Sequence, residues 1–260
     1  HPSQYTYMLK NILVVSSSGL VLFSKEYETS VSQPRLIGSL LTAIAEFSKN
    51  VAGMPVSYIQ LKGVAVTIVA TFDISCAIFH SADDGPEFGK LIATQILSTF
   101  FSTYSKDLKN NIGTNLKDFE DFQFKIPETI RSAIAPTLGK LQDSRGIQLA
   151  VLVTSDSQVT YTTKDIDQIG FKANLQALKS VANDMMAAAG DTMNQIWLDP
   201  TPKIRILVQR MSNEQGTLVV KCTNNKNNVE FIECQQAINE AIDTLNKISF
   251  LMSGMEVSTG

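Results

Sequence analysis

The same order of hydrophobic segments occurs twice in this chain of 260 residues. In the first copy, apolar runs at 11–15 and 20–27 flank three serines and Gly19, which is the pattern of a β-hairpin. In the second copy, corresponding runs lie at 147–154 and 159–163. A repeat of this kind predicts two similar units, each of which builds its own core.

The patterns that follow each hairpin also correspond. Each hairpin leads to an amphipathic helical pattern, then to three short runs rich in β-branched residues, and then to a second helical pattern. We therefore predict an α+β protein of two β-β-α-β-β-β-α units, each a five-stranded antiparallel sheet flanked by helices. The helical patterns lie at 35–51, 86–108, 168–189 and 228–251, and the strand patterns at 57–61, 64–72, 74–79, 193–198, 204–211 and 218–222.

A polar stretch separates the two units and predicts their boundaries. We assign one domain to residues 1–109, a linker to 110–126 and a second domain to 127–260. Because Phe119, Phe122 and Phe124 interrupt the polar stretch, we expect it to dock on a domain. A helix is expected at 127–143, where Pro136 should kink or split it, and the final eight residues are expected to fray.

Composition excludes several classes of partner. The net charge is −3 and no basic block occurs. Nucleic-acid binding needs a Lys/Arg surface that neutralises phosphates and releases their counterions, and the sequence offers none. A polybasic membrane patch is also missing. No apolar stretch reaches the ~18–20 residues that cross a bilayer, and no signal peptide is evident. We expect a cytoplasmic protein that can lie on endomembrane surfaces through peripheral association at most.

Motifs for catalysis are missing from the sequence. It contains no glycine-rich phosphate loop, no dinucleotide fingerprint and no nucleophile elbow. Cys76 and His80 lie on one predicted strand at a spacing of roughly 13 Å, too far for a hydrogen bond. The three cysteines have no metal-site spacing. We read the acidic cluster of Asp118, Glu120 and Asp121 as solvated, and predict no enzyme, no cofactor and no metal.

Three features leave an interface and a core interpretation both open. Trp197, the only tryptophan, fits either an interface hot spot or a core. The sequence from Met185 to Ala189 fits core filling or a surface for close approach of a helix. The apolar stripe of the helix at 86–108, which includes Phe100 and Phe101, is wider than one sheet face requires, so part of it should pack against something else.

At this point the order of elements resembles two known families. The first half is similar to a longin domain, a profilin-like fold, in the run Ile12-Leu13-Val14-Val15 followed by Gly19-Leu20-Val21-Leu22-Phe23-Ser24. The second half resembles a roadblock (dynein light-chain) domain, in its leading helix and in the run Ala150-Val151-Leu152-Val153-Thr154-Ser155-Asp156. Ser157 stands where the roadblock family usually has glycine.

The resemblance implies a non-catalytic dimerising platform that binds and regulates a small Ras-like GTPase, as a scaffold or an exchange-factor subunit. It also implies a homo- or heterodimer with longin or roadblock proteins. The alternative is a vesicle-trafficking tether or coat subunit that binds SNARE-like or coat partners. By the resemblance, the strand at 193–198 and the helix at 171–189 are candidate interface elements. The candidate interface residues are Trp197, Met193, Ile196, Phe171, Leu175, Met185, Phe100 and Phe101.

Overall fold

A computed structural model describes eight ranges of the chain. These are residues 8–27, 34–71, 74–109, 116–154, 160–162, 164–212, 216–224 and 229–257. By its internal contacts the chain divides into two compact units, His1–Ala133 with Gly254–Gly260 and Ile134–Ser253. Two units were predicted.

The first unit follows the predicted order of elements. A hairpin, a helix, three strands and a long helix are succeeded by a ten-residue 3-10 segment and a short helix. The elements are β1 (Leu9–Ser16), β2 (Val21–Glu26), α1 (Pro34–Ala52), β3 (Tyr58–Gln60), β4 (Val64–Ala70), β5 (Ile74–Ser81), α2 (Gly85–Lys109), the 3-10 segment (Leu116–Lys125) and α3 (Ile126–Arg131).

The second unit repeats this order behind a leading helix. Its elements are α4 (Ile134–Asp143), β6 (Ile147–Thr154), β7 (Thr160–Thr162), α5 (Gln168–Ala188), β8 (Gln195–Thr201), β9 (Ile204–Arg210), β10 (Gly216–Thr223) and α6 (Val229–Val257). The predicted turn at Ser155, Asp156 and Ser157 lies outside the described residues, as does 110–115 of the predicted linker.

Both sheets have five strands and the same topology. The spatial orders are β2-β1-β5-β4-β3 and β7-β6-β10-β9-β8, and all neighbouring strands are antiparallel. The first and last strands of each unit therefore pair in the middle of the sheet. The predicted fold class is confirmed, because the period of two in the strands and of 3.6 in the helices is a local property of the sequence.

Helices cover both faces of each sheet. In the first unit, α1 packs its Leu41 and Ile37 on Leu13 and Val15, whereas α2 contacts β4 and β5. In the second unit, Leu175 of α5 packs on one face, and α4 and α6 cover the other. Each unit is a three-layer structure, and its central strands are buried on both sides.

The described part of the predicted linker, Leu116–Lys125, packs within the first unit. Phe119 and Phe122 of the 3-10 segment are buried at 1% and 0% exposure. Their rings contact Phe23 and Phe100, and Tyr104 lies against both. The wide apolar stripe of α2 is thereby explained, because one side of α2 faces the sheet and another faces this segment. The contact-based division falls after Ala133, later than the predicted linker at 110–126.

The break expected in the helix at 127–143 is present, and two other boundaries differ from the predicted ones. The helix is split into α3 and α4 at Ser132 and Ala133, and Pro136 lies in the first turn of α4, where proline is tolerated. The strand expected at 193–198 runs from Gln195 to Thr201. The expected fraying is wrong for 253–257, which remain helical in α6.

Candidate partner-binding surface

The outermost strand of the second sheet is the longest uncovered strand edge that the described residues show. β8 pairs with β9 through Gln195 to Leu198, and it has no neighbour on its other side in the described sheet. Within the described residues, no strand pairs with the other side of Gln195–Leu198. Such an edge is a template for adding a strand from a partner. Pro200, beside a register shift, limits the template to the first half of the strand.

Consecutive residues of β8 point to opposite faces of the sheet. Ile196 packs with Phe171 and Leu175 in the cluster under α5. Trp197 packs against the core on the side of α4 and α6. Three of the predicted interface residues are therefore brought together under α5, and Trp197 is separated from them by the sheet. Trp197 is half-buried, which fits neither a fully buried core residue nor a free surface residue.

Arg205 of β9 holds Trp197 in place. Its guanidinium lies 5.2 Å from the centre of the Trp197 ring and 5.9 Å from that of Phe231. The same group donates to both carboxylate oxygens of Asp199, over 2.6 and 2.8 Å. Planar, bidentate geometry of this kind is specific to arginine. Arg205 on β9 thus contacts two residues of the edge strand β8 and stabilises their positions.

We expect Arg205→Ala to change the fluorescence of Trp197. The substitution removes a cation from the ring face and opens the ring to water, and the chain has no other tryptophan. The stability cost should be about 1 kcal/mol, since a cation–π contact contributes ~0.5–1 kcal/mol at exposed sites. Emission spectra and urea titrations of both proteins test this. Arg131→Ala, which removes an exposed arginine of the first unit, serves as the control and should leave the emission unchanged.

The outer side of α5 exposes three large apolar side chains among polar ones. Leu175 is the buried residue of this helix, and Phe171 and Leu178 are half-buried against the sheet. Ile169, Val181 and Met185 are 84%, 59% and 68% exposed. The core-filling interpretation of Met185 is therefore wrong, and the interpretation as a surface for close approach fits its position.

The remaining predicted residues divide by burial. Met193 and Leu175 are buried, at 6% and 7% exposure, and support the surface from below. Phe101 on α2 is 37% exposed. Phe100 is fully buried beside Phe122, so it cannot contact a partner while the first unit is folded. An interface role for the other seven residues stays a prediction.

His80 of the first unit is built into the core. Its Nδ1 lies 2.8 Å from the carbonyl oxygen of Ser81, which only accepts, so Nδ1 carries the hydrogen. In the neutral ring, Nε2 then accepts from the hydroxyl of Thr67, also at 2.8 Å. Cys76 is buried on the same sheet, and burial raises the pKa of its thiol. A thiol so placed is unreactive.

The acidic cluster Asp118, Glu120 and Asp121 is exposed, as predicted, although it lies on the 3-10 segment and not in a loop. Among the described residues, no group of three or more histidine, cysteine or acidic side chains has the spacing to hold a metal ion. Within the same ranges, no helix is long and apolar enough to cross a membrane.

Comparison with known proteins gives matches among solved structures. No protein-family model matches the chain, and no curated protein matches it. Myxococcus xanthus MglB is similar over 44% of this chain and 93% of its own, at 17% identity and a TM-score of 0.38. The gliding protein MglB from Thermus thermophilus is similar over 44% and 87%, at 10% identity and a TM-score of 0.37.

Sequence reasoning missed Arg205, Ile169 and Val181. Arg205 follows Asp199 across a short turn, and that spacing of opposite charges on a hairpin was its signal. Ile169 and Val181 fall on a second stripe of α5, with Ala173, Ala177 and Met185 at intervals of four residues. A helix with two apolar stripes has one more apolar face than its own sheet can cover.

Proposed function

We propose that the protein is a non-catalytic adaptor that binds and regulates a small Ras-like GTPase through β8 and the outer face of α5. The class of partner comes from the resemblance of the element order to longin and roadblock domains. The observation that carries the choice of surface is the combination of an open edge strand with an exposed apolar helix beside it. Ile196 and Phe171 belong to one cluster, so the two elements are neighbours.

This surface provides two kinds of contact. The free edge of β8 offers backbone hydrogen bonds to an added strand, which give affinity with little dependence on side chains. Val181 and Met185 offer apolar area, which gives affinity and selects shape. A switch protein has different shapes in its two nucleotide states. A fixed surface that fits one shape better shifts the equilibrium between them, by the difference of the two affinities.

We expect Val181→Glu and Met185→Glu to weaken GTPase binding at least tenfold, about 1.4 kcal/mol. Both side chains are more than half exposed, so a carboxylate is tolerated by the fold but is desolvated in the complex. The assay measures binding to immobilised Ras-like GTPases, each loaded with GDP or with a non-hydrolysable GTP analogue.

Ile232→Glu is the matched control. Ile232 is 66% exposed on α6, which covers the opposite face of the same sheet, so this variant should bind as the wild type does. Wild-type protein that binds no GTPase of the panel in either nucleotide state would refute the proposal. A pull-down with the wild-type protein that recovers SNARE-like or coat proteins and no GTPase would support the trafficking alternative and count against the GTPase.

A further inference from the structure

Two of the three cysteines lie next to each other in the core of the second unit. Cys222 belongs to β10 and Cys234 to α6, and both are members of the cluster under that helix. Both side chains are fully buried, and their thiols are hydrogen-bonded to each other. Cys76, by contrast, lies on β5 of the first unit. The fold thus brings together two thiols that come from different elements.

A glycine allows α6 to approach the sheet closely at this point. Gly146, in the turn before β6, has a φ of +85°, which residues with a Cβ rarely adopt. A Cβ added there would lie 2.9 Å from the Cγ2 of Thr223 and 3.5 Å from the Cβ of Cys234. Cys234 is therefore held over the place where β6 meets the end of β10, the end that carries Cys222.

The two thiols have different charged neighbours. Arg205 is the register partner of Cys222 on β9, so the two side chains lie on the same face of the sheet. The hydrogen bond with Cys234 and the charge of Arg205 lower the pKa of Cys222, although burial and the Asp199 carboxylate oppose this shift. The same hydrogen bond, burial and the charges of Cys222 and Glu230 raise the pKa of Cys234. A thiolate beside a second, protonated thiol is the arrangement in which oxidation leads to a disulfide.

The pair lies near the border of the core. Thr223, Glu230 and Phe231, which neighbour the two cysteines, are half-buried. Among the described residues, neither the Oδ1 of Asn224 nor the Nε2 of Gln235 has a hydrogen-bond partner, although both atoms are buried. Such atoms gain hydrogen bonds when water reaches them, which favours local opening at the start of α6. A small oxidant follows the same route to the thiols.

We infer that Cys222 and Cys234 form a reversible disulfide when the protein meets a peroxide. The Cys222 thiolate attacks one oxygen of hydrogen peroxide, the O–O bond breaks, and the departing hydroxide takes up the proton that Cys222 had released. The sulfur of Cys234 then attacks the sulfur of the Cys222 sulfenic acid. The S–O bond breaks, and the hydroxyl leaves as a second water with the proton of Cys234. The two thiols lose two electrons and two protons, and the peroxide is reduced to two waters.

The disulfide would join the first part of α6 to β10. Two sulfurs that are already in contact need little rotation of their side chains to reach the ~2.05 Å of a disulfide bond. The site is separate from the outer side of α5, and the inference does not depend on the proposed GTPase.

Peptide mapping of the full chain after treatment with hydrogen peroxide tests this. The reduced protein is oxidised while folded, then unfolded, alkylated and digested. The peptides that contain Cys222 and Cys234 should be joined by a bond that dithiothreitol cleaves, while Cys76 should carry the alkyl group. Cys76→Ala is the matched control and should form the same disulfide at the rate of the wild type.

Two single variants test the assignment of Cys222 as the attacking thiol. In Cys234→Ser, the sulfenic acid of Cys222 has no thiol to react with, so it should persist and be labelled by dimedone. In Cys222→Ser, the remaining thiol of Cys234 should be labelled at least tenfold more slowly. Equal labelling of the two variants would overturn this assignment.

Three results for the wild type overturn the inference: alkylation of both Cys222 and Cys234 after peroxide treatment, a disulfide that includes Cys76, or a sulfinic acid on Cys222 in place of the disulfide. Circular dichroism verifies that each variant is folded. If a serine variant is not, the peptide maps of wild type and Cys76→Ala decide. Binding to GTPases is measured on the reduced protein, so the two proposals fail separately.

Discussion

Replacing Phe122 with alanine is expected to lower the free energy of unfolding of the first unit by about 3–5 kcal/mol, the usual cost of truncating a buried phenylalanine. Phe122 is fully buried. Its ring packs edge-on against Phe23 and Phe100, with ring centres 5.1 Å apart in both pairs. The truncation leaves a cavity among three aromatic rings, because Tyr104 borders the same site at 6.3 Å.

The effect should extend beyond the 3-10 segment itself. Phe23 belongs to β2, an outer strand of the first sheet, and the segment packs along that strand. Removal of the Phe122 ring therefore weakens the packing of the 3-10 segment on β2 as well as its contact with α2. Urea unfolding followed by pulsed hydrogen exchange and mass spectrometry reads peptides of the first unit separately from those of the second.

Phe124→Ala is the matched control for this substitution. Phe124 lies two residues along the same 3-10 segment, but its side chain is 76% exposed. Its replacement should change the stability of the first unit by about 0.5 kcal/mol or less, as surface substitutions usually do. Equal effects of the two alanines would show that the segment is not docked through Phe122.

Replacing Gly89 with alanine is expected to destabilise the first unit by at least about 2 kcal/mol, since overpacking of a core costs ~1–3 kcal/mol and an unpaired buried polar group costs ~1–3 kcal/mol. Gly89 lies in α2 directly over the hydrogen bond between Thr67 and His80. A Cβ added there would clash with the Thr67 hydroxyl oxygen and with His80 Nε2. Both side chains are buried, so neither can relieve the clash by turning into solvent.

The expected destabilisation by Gly89→Ala is opposite in sign to the usual effect of this substitution. Glycine to alanine within a helix ordinarily stabilises it, by up to about 1 kcal/mol. Gly139 of α4 has nothing within 4 Å of an added Cβ, so Gly139→Ala should raise the stability of the second unit. Chemical denaturation of both variants, read by pulsed hydrogen exchange, compares the two units. A stabilised Gly89→Ala variant would mean that α2 does not lie this close to the sheet.

The sequence predicted the elements well because their signals are local. Alternation of apolar residues in 9–16 and 147–154, and helical spacing in α2 and α6, are present in the chain before any long-range contact forms. The burial of Cys76 in a β-branched strand was foreseeable for the same reason. Docking of Phe119 and Phe122 was also expected, since two apolar rings in a polar stretch need a cover.

The candidate surface was only partly predictable. β8 and α5 were identified through the resemblance to the roadblock family, and Met185 was among the predicted residues, but the exposed Ile169 and Val181 were not. Phe100 was assigned to an interface because its helix carries more apolar residues than a sheet needs. The additional apolar residues of α2 are covered by the aromatic rings of the 3-10 segment. This contact joins residues that are far apart in sequence, and the helical periodicity of α2 does not predict it.

The doubled order of elements, the class of each unit and the lack of a motif for catalysis all follow from the sequence alone. Packing selects which apolar face of α5 points to the sheet and which to solvent. A helix with two apolar stripes satisfies the same periodicity in either orientation, and only contact with a particular sheet distinguishes them. The bracing of Trp197 by Arg205 and Asp199 is likewise a product of the folded sheet, because residues on neighbouring strands meet only when the register is fixed.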